Sequence, residues 1–303
     1  MDKNYKDEER RIGFEIEYAG LPLDVVAEIV SQFFGGSIKK YNNTRYKVLD
    51  TDLGDFTLEL DAIPLQKLAK SIEPYNKSDE QSDKILYQLG KTVGDLGAEI
   101  TPYEIVCPPI AISQISSLQK FCDQLRGRGA KGTKGSFRYA FGLHINPEVT
   151  SLETDYILRH VQIFLLLASW LEEEHKINIS RRMTGFIDPF PISYSKLILD
   201  SSYQPDMESL IRDYHAHNPT RNRALDMLPL FAFIKGELVR DLYGEEEKIN
   251  KRPTFHYRLP NCEIGQKEWS LNTEWNRWLI VEKIAKNSDM LNSLMARWHV
   301  HQE

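Results

Sequence analysis

Apolar and polar residues alternate at five places along this chain, and between them apolar residues recur at helical spacing. Ile12, Phe14, Ile16 and Tyr18 alternate with Gly13, Glu15 and Glu17, which predicts a strand with one apolar and one acidic face. Tyr46 to Leu49, the turn-like Asp50-Thr51-Asp52-Leu53-Gly54 and the alternating Phe56 to Leu60 predict a hairpin. Three more strands are expected at Tyr103 to Cys107, Tyr139 to Asn146 and Thr254 to Leu259, each stopped by proline.

Helices fill the intervals. One starts at Pro22 and carries Val25, Val26, Ile29, Val30 and Phe33 to a stop at Gly35-Gly36. A capping-box pattern at Ser78 to Gln81 opens another, closed by Gly97, and Ser113 is expected to cap a third through Leu125. Thr150 with Glu153 reads as a further capping box before a strongly apolar helix ending near His175. Helices are also expected around Asp206 to Ala216, Pro229 to Tyr243, Thr273 to Lys286 and Asp289 to His299, with an irregular proline-rich segment near 188–191. No internal repeat or linker interrupts the pattern, so residues 1–303 read as a single domain.

In five of the predicted strands, all but the Tyr46 to Leu49 arm, the positions between the apolar ones carry the chemistry. They are Glu15 and Glu17, Thr57 and Glu59, Glu104, His144 and Asn146, and His256 and Arg258. Pleating places each set on the face opposite the apolar one. Carboxylates at i and i+2 can converge on a hard cation such as Mg²⁺ or Mn²⁺, which oxygen ligands suit. The pattern alone fits equally well an antiparallel sheet with one solvated face, although these five strands show four acids there and no lysine.

Composition narrows the classes. The 303 residues are 41% hydrophobic and carry a formal charge of -6, against non-specific nucleic-acid or anionic-membrane binding. The longest apolar run, 163–171, is about half the ~20 residues of a membrane span. Three widely spaced cysteines, Cys107, Cys122 and Cys262, suggest neither a disulfide framework nor a zinc site, and with no leader-like N-terminus the expected location is cytoplasmic. Cys107 would face the apolar side and reads as packing. His160, His175, His215 and His217 read as surface or core-edge residues.

Four motifs, in order, resemble the amidoligase family: Gly13-Phe14-Glu15-Ile16-Glu17, Glu104-Ile105-Val106-Cys107-Pro108-Pro109, Gly142-Leu143-His144-Ile145-Asn146 and Thr254-Phe255-His256-Tyr257-Arg258. That family is similar to glutamine synthetase and glutamate–cysteine ligase, and the resemblance spans roughly positions 12 to 285. It implies an α+β fold, a curved antiparallel sheet with helices on its convex face, and a concave face that binds ATP and Mg²⁺. It further implies Glu15, Glu17, Glu104 and His144 as metal ligands, with Asp50 or Asp52 as another, and Arg258 as the closing arginine. The family often has a glutamate where this chain has His256 and a histidine where it has Asn146. His256 can ligate a metal when neutral but brings no negative charge.

The resemblance implies activation of a carboxylate by ATP to an acyl phosphate that an amine then attacks, joining small-molecule or peptide substrates. Glu59 is a candidate proton acceptor for the amine. Lys131, Lys134 and Arg138, in and after the glycine-rich 126–135 loop, are candidates for phosphate contact, though a solvated loop fits the same residues. Arg181, Arg182, Arg221 and Arg223 are candidates for an acidic substrate. A phosphotransferase on the same scaffold and a catalytically silent binding protein remain the alternatives, and a homo-oligomer stays open.

Overall fold

The alternation at the first motif becomes β1 (Arg11–Tyr18), and the polypeptide around it builds a mixed α/β protein. In the computed structural model, residues 3–60, 103–135, 141–177, 187–244 and 249–300 are described. The strands make a large antiparallel sheet that does not close on itself, with helices beside it. The expected helix 78–97, Arg138, and Arg181 with Arg182 lie outside the described residues. The chain forms two compact units, one of residues 13–143 and 261–270, the other of 1–12, 144–260 and 271–303. No helix among the described residues is long and apolar enough to cross a membrane.

The first unit holds most of β1 and adds α1 (Leu23–Phe34), β2 (Ser37–Asn42), β3 (Arg45–Thr51), β4 (Gly54–Leu60), β5 (Tyr103–Val106), β6 (Ile110–Ala111) and α2 (Ile115–Gly127). Its strand order is β2-β3-β4-β5-β1. Phe14, Ile16, Val48, Phe56, Leu58 and Ile105 are buried on one face, as alternation requires. Against it lie Val26, Val30 and Phe34 of α1 and Leu118, Phe121 and Leu125 of α2. Phe34 stacks on Phe56 with ring centroids 5.4 Å apart, and Phe121 lies 5.5 Å from Phe34. Gly35, at φ 75°, ends α1 in a backbone region that side chains disfavour. The expected Ser113 cap is not used: a 3₁₀ turn over Ile112–Gln114 precedes α2, and the Gln114 side chain accepts the Ala111 N–H instead. β2 was not foreseen, because all six of its residues are exposed and nothing in it alternates.

The second unit contains β7 (Leu143–Pro147) from His144 onward, followed by α3 (Thr154–Glu174), α4 (Ile192–Ile198), α5 (Met207–His217), β8 (Leu225–Asp226), α6 (Leu228–Ile234), α7 (Gly236–Tyr243), β9 (His256–Tyr257), α8 (Leu271–Ala285) and α9 (Ser288–Val300). Its strand order is β7-β9-β8. Asp206 caps α5 by accepting the Ser209 N–H at 2.8 Å. Thr150 does not cap α3: its N–H donates to the Tyr156 hydroxyl, and the helix begins after Glu153. The helix expected over Pro229 to Tyr243 breaks in two at Lys235, whose ψ of 60° is not helical. Phe164, Phe255, Tyr257 and Trp278 pack together in the core.

Two of the histidines expected at the surface or the core edge, His160 and His175, are buried in this core. His160 stacks on Phe255 and bonds the Tyr156 carbonyl; burial pushes its imidazole down to about 4, although that bond acts in the opposite direction. His175 is held by Glu274 at 2.8 Å and by the Tyr257 hydroxyl. Arg10 and Glu282, both buried, form a two-pronged ion pair, which Trp278 supports by donating to Glu282 at 2.6 Å.

Candidate active site

Register assembles the acidic residues of the first unit. Glu17 stands directly opposite Glu104 across β1 and β5, and Glu104 directly opposite Glu59 across β5 and β4. Three carboxylates thus occupy one row on one sheet face, with neighbouring Cβ atoms roughly 4.5–5.5 Å apart. The next row on that face holds Glu15, Val106 and Thr57. Like charges directly opposite one another destabilise a sheet unless a cation lies between them. The Glu17 carboxylate accepts the Gly142 N–H at 2.6 Å. At the end of the acidic row Arg45 faces Glu59 at 3.5 Å, and Lys47 extends the second row. The face is therefore acidic at β1 and β5 and basic at β3, whose Lys47 lies in the first arm of the predicted hairpin.

The second unit presents imidazoles and guanidinium groups. Ile145 pairs with Tyr257, which brings His144 and Asn146 of β7 onto the same face as His256 and Arg258. The His144 and His256 rings lie 5.2 Å apart, edge to face. Asn146 accepts from Arg252 at 2.9 Å, and Arg258 donates to the Arg221 carbonyl at 2.8 Å. Across β9 and β8, Asp226 stands directly opposite His256, its Oδ2 3.4 Å from Nδ1 and 3.7 Å from Arg221 Nε. Asp226 is wholly buried. Burial raises its carboxyl, yet the His256 bond and the charges of His256, Arg258 and Arg221 outweigh that and hold it below the ordinary carboxylate range.

Asp226 is the residue that sequence reasoning missed. Its signal was a single acid inside the apolar run Ala224 to Phe231, a setting in which a charge needs a partner. Two-residue strands such as β8 leave no alternation to read.

The other candidates are dispersed. Asp50, near the end of β3, and Asp52, in the turn that follows it, are both exposed; the Asp52 N–H donates to the Phe34 carbonyl and Asp50 adopts φ 57°. The glycine-rich loop is anchored: Lys131 exchanges backbone bonds with Ala19, and Thr133 donates to Cys262. A Cβ on Gly132 would come within 2.3 Å of the Cys262 carbonyl oxygen, so only glycine permits this approach. The Lys134 amide donates to the Glu263 carboxylate at 3.1 Å. Arg223 is buried, bonded to Asn218 and to the Pro189 carbonyl, and lies over the Phe190 ring. All three cysteines are free and buried, and burial pushes their thiols up, away from nucleophilic character.

One sheet face of the first unit thus carries rows of carboxylate oxygens, and the second unit carries paired imidazoles beside a buried aspartate, in a mixed α/β protein. A family model described as putative amidoligase enzyme matches residues 8–280, and the chain belongs to that family, which points to a ligase-type enzyme. No curated protein and no solved structure gives a match.

Proposed function

We propose that the protein is an ATP- and Mg²⁺-dependent carboxylate–amine ligase that forms an amide or peptide-like bond, with residues 1–303 acting as one catalytic domain. The observation that carries this reading is the in-register row Glu17, Glu104 and Glu59, in a chain of the amidoligase family. The donor set fits the ion: carboxylate oxygens crowded on one face favour Mg²⁺ or Mn²⁺ over softer metals. Glu15, Glu17 and Glu104, together with His144, are the residues assigned to hold it. When bound, the ion neutralises charge on the transferring phosphoryl group.

The chain's own residues then have separate tasks. A carboxylate oxygen of the first substrate attacks the terminal phosphorus of ATP; ADP leaves, and an acyl phosphate remains. Arg258, restrained by the Arg221 carbonyl, orients the anionic groups. The amine attacks the acyl carbon, phosphate departs, and Glu59 accepts the proton that the amine loses. Lys131, Lys134 and Arg138 are assigned to the nucleotide phosphates, and Arg181, Arg182, Arg221 and Arg223 to an acidic substrate.

The test is ADP release measured against panels of carboxylates and amines. Release that needs both substrates supports the ligase. Turnover with a lone acceptor would make the protein a phosphotransferase, and an absence of Mg²⁺–ATP binding by calorimetry would make it a binding protein. Glu104→Gln adds a second arm. It relieves the repulsion in the row, so the metal-free protein should gain a few tenths to about 1 kcal/mol of stability. Activity should fall at least about a hundredfold. Mg²⁺ should raise the wild-type melting temperature and leave that of the variant nearly unmoved.

A further inference from the structure

The position where the family often carries a glutamate is His256 here, and a neutral imidazole supplies no negative charge. What stands across from it in the sheet is a second acid. Asp226 is paired with His256 in register, and β8 and β9 turn both side chains onto the same face. Its two carboxylate oxygens have different partners. Oδ1 accepts the Leu228 N–H at 3.0 Å, holding the start of α6, while Oδ2 faces His256 Nδ1 at 3.4 Å. Arg221 Nε, 3.7 Å away, approaches that second oxygen. A wholly buried carboxylate with this set of neighbours can only accept hydrogen bonds, so the proton between it and the ring belongs to the imidazole.

We propose that Asp226 is a positioning residue: it fixes His256 as the Nδ1–H tautomer, so that Nε2 carries the electron pair offered to a divalent cation. Carboxylate and imidazole together then supply the negative character that a glutamate would bring directly. A carboxylate behind a metal-binding histidine fixes its ring orientation and raises its basicity. The cross-strand pairing keeps the acid one strand removed from the cation, which explains an aspartate on β8 where no motif asks for one. The inference rests on the cation-dependent reading of the site.

Asp226→Asn separates this role from a structural one. An asparagine can still accept the Leu228 N–H through its oxygen, but its amide then donates toward His256 Nδ1. The proton should therefore move to Nε2. In histidine-labelled protein, with the His256 signal assigned by its loss in His256→Gln, nitrogen chemical shifts followed against pH report the tautomer directly. The wild type should show Nδ1–H and the variant Nε2–H, and Mn²⁺ affinity should drop about tenfold to a hundredfold. An Nε2–H tautomer in the wild type overturns the proposal even if the variant does not fold. An unchanged Mn²⁺ affinity after the tautomer inverts overturns it as well. If neither protein binds Mn²⁺ while the tautomer inverts as expected, the tautomer assignment stands and the ligase reading fails.

Discussion

Single residues carry most of the chemistry, and several of them could be read directly. Glu15, Glu17, Glu59 and Glu104 fall on the polar face because a strand has a period of two, and His144 and His256 follow the same rule. Asp226 escaped that rule because its strand is two residues long and its partner is 30 positions away. His160 escaped for a different reason: a histidine on a helix looks alike in sequence whether it meets water or Phe255. Its burial has a measurable consequence. The folded imidazole titrates at about 4, below its ordinary 6.5, so the unfolded chain takes up the proton first. The neutral ring's contribution is fully present above pH 6.5 and is lost as the pH falls from there through about 4, on the order of 3 kcal/mol. His160→Phe, which retains an aromatic ring beside Phe255, should flatten that part of the stability–pH curve in urea titrations.

Elements were legible in proportion to how much of their pattern was buried. α1, α2, α3, α5, α8 and α9 announced themselves through apolar stripes, and β1, β4 and β5 through alternation. β2, with every residue exposed, and α4, which begins after Pro191, had no such signature. The strand expected over Thr254 to Leu259 shrank to His256–Tyr257, with single backbone bonds from Phe255 to Pro147 and from Arg258 to Ala224 on either side. What holds β4 in place, and with it Glu59, is the ring cluster of Phe34, Phe56 and Phe121. Phe56→Ala should cost about 3–5 kcal/mol in denaturant unfolding, because the vacated volume lies between a sheet and two helices that cannot collapse into it. Activity per folded molecule should fall as well, since the third carboxylate of the row depends on that strand.

Long-range organisation left the weakest trace in the sequence. Nothing local reveals that residues 3–12 belong with residues beyond 144 while most of β1 belongs to the other compact unit. The contact that ties the N-terminal segment down, Arg10 to Glu282, joins positions 272 apart. It is a buried ion pair with a second prong and an indole donor, so removing one partner strands the other's charge. Arg10→Met should destabilise the fold by about 3–5 kcal/mol, and the double replacement Arg10→Met with Glu282→Leu should recover most of that loss in the same chemical denaturation assay.

That separation also orders events during synthesis. Residues 13–143 leave the ribosome early and need only the short 261–270 stretch to complete their unit. The segment before them emerges ahead of them and is anchored late, because Glu148 and then Glu282 must be made before Arg10 can bond to them. Closing so long a loop is slow compared with local helix and hairpin formation. Stable anchoring of that end is therefore deferred until α8, which carries Glu282, has formed.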